Sequence, residues 1–379
     1  MSGYETNLSP YAPVNKPNKF PEITKPNIIG FFSVDGNRQF IPNASNLKYL
    51  VLPTNLRQLS MDLNAEYENR VPKSETQNER IDHLLKFILE NKTRLYHVNE
   101  QPLHQNDDKL LACDFICFRG LLRLLMCSPY DEREDWIIMA TKYKGNIYLC
   151  QRETPRKISQ RQNETESQKK ILSYGFKFEQ YIFTNDPQIP PNGQISTNER
   201  EEFCCMYKTT LTGMNIIFGA EVDGVTSQKK VDLNQFDPNQ LEFVEAKLKL
   251  QEKHFRQKRN FLKYKSLNWW CQSFLVNIKR IIVGIRSESG FVFELEKVDV
   301  KNLQKMGSQY WTPAVCVKFL ENFLVMVAKI TKNVNCPDTV FEFYWNPSGK
   351  KNIKYNVKNG KNEFSFLPDW YVQNINVKN

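Results

Sequence analysis

Two short stretches decide the fold of this chain: Gly219-Ala-Glu221-Val-Asp223-Gly224 and, further along, Phe243-Val-Glu245-Ala-Lys247. Each pattern predicts a β-strand, in which side chains two residues apart share one face. The charged groups of each stretch therefore point the same way. The residues between and beside them are apolar and are expected in apolar surroundings: Val222, Val244 and Ala246.

The charges of these two stretches indicate a particular chemistry. Three carboxylates and one ammonium group on adjacent strands are typical of a divalent-metal nuclease centre, the Asp…Glu-x-Lys arrangement. Magnesium prefers a few hard oxygen ligands because it keeps several of its waters. Lys247 can orient or deprotonate the attacking water, or neutralise phosphate charge. A lone Glu-x-Asp is usually a solvated strand face, but burying this many charges is costly unless they pair or bind metal.

The composition suits a large globular domain with an anionic partner. The chain has 379 residues, of which 40% are hydrophobic and 12% aromatic, enough for a substantial core. Its formal net charge is +10. A basic balance suits a polyanion such as RNA or DNA, or an anionic membrane surface.

Other sequence features indicate the cellular compartment and argue against disulfides and a zinc site. No apolar run is long enough for a membrane-spanning helix, and the N-terminus lacks a signal-peptide pattern. We therefore expect a nuclear or cytoplasmic protein that is not secreted, with a monomer as the default state. The nine cysteines form no Cys-x-x-Cys and are expected to be reduced thiols. The four histidines are not at metal-ligand spacing, which argues against zinc.

The pattern along the chain predicts one folded unit. Residues 1–27 are rich in Pro, Asn and Lys and are expected to be an extended, flexible arm. Residues 28–379 are expected to be a single α/β (α+β) domain, with mixed, twisted β-sheets flanked by helices. Helices are predicted at 79–92, 171–183, 253–275 and 312–329, and strands at 203–209, 215–223 and 241–249. Residues 364–371 are expected to close the sheet region.

Two further charged residues each have two interpretations. Glu179 lies among aromatic residues in Tyr174–Tyr181. Alone it is an exposed helical residue, but beside the strand carboxylates it becomes a fourth acid, binding metal directly or through water. Arg119 lies in an apolar segment and needs an anionic partner. That partner is either a buried carboxylate or a phosphate gripped by both arms of the guanidinium group.

A basic segment leads from the second strand into a tryptophan pair. Residues 247–265 are rich in Lys and Arg, and Trp269-Trp270-Cys271-Gln272 follows. Such a run is usually a solvated helix face, but it could line a groove for a nucleic-acid strand. Gln272 lies amid aromatic residues, so if buried it needs hydrogen-bond partners, and it could hold a water or a phosphate oxygen.

Several of these motifs, in this order, resemble the DXO family. The matching pieces are Gly-Phe-Lys-Phe-Glu179, Glu221-Val-Asp223, Glu245-Ala-Lys247 and Trp-Trp-Cys-Gln272-Ser-Phe-Leu, with shorter matches from Phe32-Ser33 to Leu367-Pro-Asp-Trp-Tyr. These proteins are eukaryotic decapping exoribonucleases, related to the partner protein of the yeast nuclear 5′–3′ exoribonuclease. The resemblance runs from about Ile28 to the end of the chain and implies a nuclease-like core.

The resemblance implies metal-dependent hydrolysis at RNA 5′ ends. Family members remove incomplete, unmethylated or nicotinamide-adenine dinucleotide caps, and many remove pyrophosphate from triphosphate ends. Many then degrade the 5′-monophosphate RNA in the 5′–3′ direction. The implied cofactor is Mg²⁺ or Mn²⁺, with two ions bound. An exoribonuclease partner is also implied.

The family's functional residues fall on identifiable positions here. The implied metal ligands are Glu179, Glu221, Asp223, Glu245 and the main-chain carbonyl of Ala246. The same four acids, with Lys247 and Gln272 to position the phosphate and the water, form the implied catalytic set. The implied substrate contacts are Arg38, Glu79, Phe118, Arg119, Gly120 and Cys204, together with Glu221, Lys247 and Gln272.

The sequence departs from the family's pattern in two places. Asn268 stands where relatives often have a basic residue, and residues 248–257 are unusually basic. Two alternative functions remain: a non-catalytic protein that binds RNA ends or stabilises an exonuclease, and a DNA nuclease with the same core. Retention of all four acids favours the enzyme, and the implied 5′-end contacts favour RNA.

Overall fold

The structure is a computed structural model and describes residues 19–73, 79–96, 109–348 and 352–375. The strands in these ranges are β1 Asn27–Val34, β2 Phe40–Ile41, β3 Tyr49–Leu50, β4 Arg57–Asp62, β5 Phe115–Phe118, β6 Trp136–Tyr143, β7 Asn146–Arg152, β8 Phe183–Thr184, β9 Glu202–Leu211, β10 Met214–Glu221, β11 Gly224–Val225, β12 Phe243–Leu250, β13 Arg280–Arg286, β14 Phe291–Asp299, β15 Val340–Trp345 and β16 Ile353–Lys358.

Helices flank these strands. The α-helices are α1 Asp82–Glu90, α2 Lys92–Leu95, α3 Arg119–Cys127, α4 Pro155–Gln162, α5 Glu166–Ile182, α6 Phe255–Asn260, α7 Ser266–Leu275, α8 Val300–Gly307, α9 Pro313–Ile330 and α10 Asp369–Asn374. A π-helical segment, Phe261–Lys265, joins α6 to α7. None of the helices in the described ranges is long and apolar enough to cross a membrane.

The strands form two mixed sheets. The nine-stranded sheet has the order β16-β15-β6-β7-β5-β10-β9-β1-β2, and the seven-stranded sheet has the order β4-β14-β13-β12-β11-β3-β8. In the first sheet β5 runs parallel to β7 and β10, and in the second β12 runs parallel to β13. The mixed α/β architecture predicted from the sequence is confirmed.

The nine-stranded sheet is buried on both faces, as the alternation along β9 shows. Cys205 and Tyr207 face the main core, which also holds α3, α7 and α9. Cys204 and Met206 face a second core beneath α1 and α10. A third core lies between α5 and the seven-stranded sheet. The nine cysteines all lie in the described ranges and are free thiols, eight of them buried.

The sequence patterns predicted some elements better than others. The helix predicted at 312–329 is confirmed as α9, and the strands predicted at 203–209 and 241–249 are confirmed as β9 and β12. The segment 364–371 does not extend a sheet: it ends in α10, which covers one. Of the arm predicted at 1–27, residues 1–18 lie outside the described ranges. Within the remainder, the Thr24 amide donates to the Thr210 carbonyl at 2.9 Å.

Candidate active site

Glu245 is the centre of the predicted site. It lies on β12 and is only 1% exposed. Its Oε1 accepts hydrogen bonds from Lys247 Nζ at 2.6 Å and from Gln272 Nε2 at 2.5 Å. Its Oε2 lies 3.5 Å from Arg119 Nη1. The sequence motifs from β12, α7 and α3 therefore meet at one buried carboxylate.

The first motif is arranged differently from the prediction. Strand β10 ends at Glu221, and Asp223 lies in the short connection that leads to β11. Because β10 belongs to the nine-stranded sheet and β11 to the seven-stranded sheet, the chain changes sheets at this point. The prediction that Glu221 and Asp223 share a strand, and that their strand neighbours β12, is wrong. The two motifs approach each other across the junction of two sheets.

Asp223 takes the place of a strand neighbour on β12. The pairing of β11 with β12 ends at Gly224–Val244, so β12 is open on that side beyond Val244. There the Ala246 amide donates to Asp223 Oδ2 at 2.7 Å. The amide and carbonyl of one strand residue lie on the same edge, since paired residues exchange both bonds. The Ala246 carbonyl therefore also faces this open edge.

Helix α5 brings Glu179 to the same region. Its N-terminus is closed by a capping box between Thr165 and Gln168. Phe178 is buried against the seven-stranded sheet, where a Cβ on Gly284 would lie 2.7 Å from its ring. Only glycine on β13 allows this close approach. The contact sets the height of the helix over the sheet and leaves Glu179 half-buried beside the other acids.

A strand-to-helix turn positions Arg119. Strand β5 ends at Phe118 and α3 begins at Arg119, with no side-chain cap on its first amides. Gly219 of β10 lies opposite Phe118, and a Cβ there would lie 2.9 Å from the Phe118 ring. Gly120 is exposed, and a Cβ on it would meet nothing within 4 Å. Of the two interpretations of Arg119, the structure shows the buried carboxylate partner, Glu245. No side chain caps the adjoining helix terminus.

A second charged cluster contains the other predicted substrate contacts. Arg38 donates to both oxygens of Glu79, at 2.7 and 2.5 Å, and lies 2.8 Å from Glu202. Lys73 forms a further ion pair with Glu202. Neither Glu202 nor Lys73 was identified from the sequence, because no motif marks them. Only the position of Glu202 at the start of an apolar strand distinguishes it.

Cys204 lies beside this cluster but faces the core. It is paired with Glu221 across β9 and β10, and it is 3% exposed among the residues beneath α1. Burial raises the pKa of its thiol well above the ordinary value. The tryptophans before Gln272 are also core residues, because Trp269 and Trp270 are 6% and 4% exposed. The aromatic pair thus anchors α7, while Gln272 is half-buried and reaches Glu245.

Burial, together with neighbouring acids, raises the pKa of three of the four site acids. Burial, followed by the charge of Glu245, raises the pKa of Asp223 to about 7. Desolvation and then Glu202 raise the pKa of Glu221 to about 8, although its side chain is exposed. Burial, Asp223 and Glu221 raise the pKa of Glu179.

Glu245 is the exception because it has cations beside it. Burial opposes its ionised form, but the charges of Lys247 and Arg119 outweigh this and lower the pKa of Glu245. Burial likewise opposes the charged form of Lys247, yet Glu245 and Asp223 raise its pKa. The site therefore holds one ionised carboxylate between two cations, and three acids that resist ionisation.

The donor set fits a hard divalent cation in its chemistry. All four acidic side chains offer oxygen, which Mg²⁺ and Mn²⁺ prefer, and they lack enough nearby positive charge to ionise together. Within the described ranges, no three acidic, histidine or cysteine side chains are close enough to form a ready-made ion site. Lys247 and Gln272 donate to Glu245 Oε1, and the Ala246 amide donates to Asp223 Oδ2.

Comparison with known proteins identifies the family of the chain. A family model described as RAI1 like PD-(D/E)XK nuclease matches residues 24–372. The chain belongs to this nuclease family. The decapping and exoribonuclease protein Rai1 of Drosophila melanogaster is 33% identical to it over 354 residues, which is 93% of this chain and 92% of that protein.

Solved structures of Rai1 proteins share the fold of this family member. Scheffersomyces stipitis Rai1, solved with (3′-NADP)⁺ and a calcium ion, has a TM-score of 0.78 at 18% identity and covers 99% of each chain. Candida albicans Rai1, solved with pU5 and Mn²⁺, has a TM-score of 0.74 at 16% identity, covering 90% of this chain and 92% of that one.

Proposed function

We propose that this chain is a divalent-metal-dependent hydrolase of RNA 5′ ends. It removes incomplete, unmethylated or nicotinamide-adenine dinucleotide caps, or pyrophosphate from triphosphate ends, and degrades the product in the 5′–3′ direction. The observation that carries this proposal is the buried Glu245, which holds Lys247 and Gln272 on one oxygen beside Asp223 at a sheet junction. Family membership and the named decapping relatives support the substrate class.

The proposed cofactor is a pair of Mg²⁺ or Mn²⁺ ions. The residues that would hold them are Glu179, Glu221, Asp223, Glu245 and the carbonyl of Ala246. Mutual repulsion among the acids and the open strand edge at Ala246 support this set. When bound, such ions would activate water and neutralise charge on the phosphate.

The protein's own groups provide orientation. Lys247 Nζ and Gln272 Nε2 converge on Glu245 Oε1, so both donors lie where a water and a phosphate oxygen would be held. Preorganised donors of this kind stabilise the charge that develops on phosphate. Arg119 pairs with Glu245 through Nη1. The other N–H groups of its guanidinium are then available to donate to an oxygen of the substrate.

The 5′ end is proposed to lie between Arg119 and the Arg38 cluster. The uncapped first amides of α3, at Arg119 and Gly120, offer donors to an anion at a helix N-terminus. Phe118 provides an apolar surface beside them. Glu79 is paired with Arg38, and Glu221 interacts electrostatically with both Glu202 of the Arg38 cluster and Arg119. Cys204 contributes through its backbone and packing, because its side chain is buried.

We also propose the partners and the compartment. The chain acts as a monomer on RNA in the nucleus or the cytoplasm, and a 5′–3′ exoribonuclease is a candidate partner, as expected for its family. Co-purification with a tagged exoribonuclease, followed by sizing of the complex, tests this partner. Sizing of the chain alone tests the monomer.

One set of reactions tests the activity. The protein is incubated with RNAs that carry a triphosphate, an unmethylated cap, a methylated cap, a dinucleotide cap or a monophosphate. Each RNA is tested with Mg²⁺, with Mn²⁺ and with a chelator. We expect metal-dependent release of the cap or pyrophosphate, and loss of that release in the E221Q/D223N variant. E296Q, at an exposed acid outside the site, is the control. Absence of cleavage of every RNA by the wild type contradicts the proposal.

A further inference from the structure

We propose that Lys73 binds the 5′-terminal phosphate group of the RNA, and that Arg38 positions Glu202, the carboxylate partner of Lys73, without contacting the phosphate. This inference rests on the proposed function, because it names the cation that distinguishes a phosphorylated 5′ end from a 5′-hydroxyl end. It differs from the expectation for Arg38, which the family resemblance identified as a substrate contact. The two cations of this cluster therefore have different roles.

Each nitrogen of the Arg38 guanidinium group already has an acceptor within the protein. Its Nε and Nη2 donate to the two oxygens of Glu79, at 2.7 and 2.5 Å. Its Nη1 donates to the Arg200 carbonyl at 2.7 Å and lies 2.8 Å from Glu202 Oε1. The side chain of Arg38 is only 5% exposed. A phosphate could take this guanidinium group only by leaving a buried carboxylate without its partner, which is costly.

Lys73 is the cation of the cluster that remains accessible. Its side chain is 49% exposed, and its Nζ pairs with the same oxygen of Glu202 that accepts from Arg38. Burial opposes the ionised form of Glu202, but the charges of Lys73 and Arg38 outweigh this and lower its pKa. Because the ion pair of a half-exposed lysine is weak and an ammonium group serves several acceptors, Nζ can also donate to a phosphate oxygen.

The backbone that leads to Lys73 is fastened to the segment before β9. Two backbone hydrogen bonds, at 2.8 and 2.9 Å, join Val71 to residues 197–199. Arg200 Nε donates to the Pro72 carbonyl at 2.9 Å. The same segment continues into β9, which begins with the carboxylate partner of Lys73. One set of hydrogen bonds therefore places both members of this ion pair.

Lys73 lies near an acid of the proposed catalytic site. Glu221 pairs with Cys204 across β10 and β9, and Glu202 lies two residues away on the same face of β9. Diagonal neighbours of this kind are about 7–8 Å apart. Burial and then Glu202 raise the pKa of Glu221, and Lys73 is the first of the cations that lower it. A terminal phosphate beside Glu221 can therefore reach the ammonium group.

A terminal phosphate is the ligand that suits this ammonium group. Lysine binds phosphate as a compact point charge on a flexible stem, without the fixed fork geometry of arginine. A terminal phosphate carries more negative charge than a phosphodiester within the chain, because only the terminal group ionises a second time. Loss of Lys73 should therefore affect RNAs with phosphorylated ends and spare those with 5′-hydroxyl ends.

The preference among 5′ ends tests the role of Lys73. Three RNAs of one sequence carry a triphosphate, a monophosphate or a hydroxyl group at the 5′ end, and kcat/KM is measured for each with metal. K73M should lower kcat/KM for both phosphorylated RNAs by about 10–100-fold, the loss expected for one charge-assisted hydrogen bond, and leave the 5′-hydroxyl RNA unchanged. K73R keeps the charge and should keep the preference. K301M, at a lysine whose side chain is 78% exposed on α8, is the matched control.

Double variants test the role of Arg38. R38M and E202Q should each lower the preference for phosphorylated ends, because each loosens the hold on Lys73. Neither should lower it further in the K73M background, since both act through Lys73. E202Q keeps the buried guanidinium group, so this comparison does not depend on the folding of R38M. A further loss of preference in K73M/R38M or K73M/E202Q overturns the inference.

Binding without cleavage separates this inference from the proposed function. In chelator, the wild type should bind a short 5′-phosphorylated RNA more tightly than the same RNA with a 5′-hydroxyl end, and K73M should lose this difference. An unchanged preference in K73M, in binding and in turnover, overturns the inference and leaves the proposed function standing. If the wild type cleaves no RNA but its preference in binding depends on Lys73, the proposed function fails and the inference stands.

Discussion

The side-chain amide of Gln272 donates to the same oxygen of Glu245 that accepts the Lys247 ammonium group. One buried carboxylate oxygen therefore fixes two donors from different elements, α7 and β12. Among the described residues, Gln272 contacts the acids only through Glu245, so it is a positioning residue for that carboxylate. Its contribution should appear in turnover and not in folding.

Replacing Gln272 tests this relationship. Q272A should lower kcat on 5′-monophosphate RNA about 10–100-fold, the usual effect of losing a partner that orients a ligand carboxylate. The melting temperature should change little. Q272E should lower activity further, because it adds a negative charge beside Glu245. Q160A, at an exposed glutamine of α4, serves as the control. Full activity of Q272A in steady-state kinetics would exclude Gln272 from the site.

Asp223 should have separable structural and chemical roles. D223N keeps an oxygen acceptor for the Ala246 amide, whereas D223A leaves this buried donor unpaired. We expect D223A to lower the free energy of unfolding by about 1–3 kcal/mol relative to D223N, as measured with urea. Both variants should lose metal-dependent cleavage. Equal stability of the two would show that the hydrogen bond to Ala246 contributes little.

Metal-free protein should become less stable as the pH rises from about 5 to 8. The folded-state pKa values of Asp223, about 7, and of Glu179 are raised above their unfolded values. The folded state then binds more protons than the unfolded state in this window, so stability falls with pH. Glu221 adds less, since its side chain is exposed. The pKa of Glu245 is lowered, so this residue changes the pH dependence of stability only at lower pH.

Melting temperatures in chelator across this pH range provide the measurement. E221Q/D223N should flatten the decline, and added Mn²⁺ should raise the melting temperature of the wild type more at pH 8 than at pH 5. The reason is that binding needs the ionised carboxylates. A melting temperature that rises with pH in chelator would contradict the proposed repulsion among these acids.

Gly219 should be needed to place Arg119. A Cβ at this position would lie 2.9 Å from the Phe118 ring and 3.2 Å from Met206 Sδ, so G219A must displace the turn that starts α3. We expect a loss of about 1–3 kcal/mol in stability and a larger proportional loss of activity. G175A is the matched control on α5, where a Cβ meets nothing within 4 Å, and should raise stability by about 0.5–1 kcal/mol. Unchanged KM and kcat in G219A would show that the turn adapts.

Local pattern predicted the pieces of the site but not their arrangement. The i, i+2 spacing correctly placed Glu245 and Lys247 on one face of β12, because strand periodicity is a property of the backbone. The same reasoning failed at Asp223, since the end of β10 and the change of sheet depend on pairing between distant segments. Glu202 and Lys73 were missed for a related reason. They meet Arg38 through tertiary contacts that no short motif encodes.

The helices show the same division between local and tertiary information. The apolar pattern of α9 was readable because helical spacing is local. The start of α5 was missed: the helix begins at Glu166, before the predicted 171, because its first turns are polar. The height of α5 over the sheet depends on a glycine more than one hundred residues away, Gly284, and could not be read from the helix itself. The roles assigned to the site residues remain predictions that the variants above address.

The chain passes from one sheet to the other at Asp223, and this has a consequence for substitutions far from the site. One sheet carries Glu221 and the other carries Glu245. The distance between these two acids therefore depends on how the two sheets are aligned. A small displacement of one sheet relative to the other would abolish activity, although each sheet would remain folded. Harmful substitutions at the contact between the sheets could therefore leave the protein soluble, abundant and inactive.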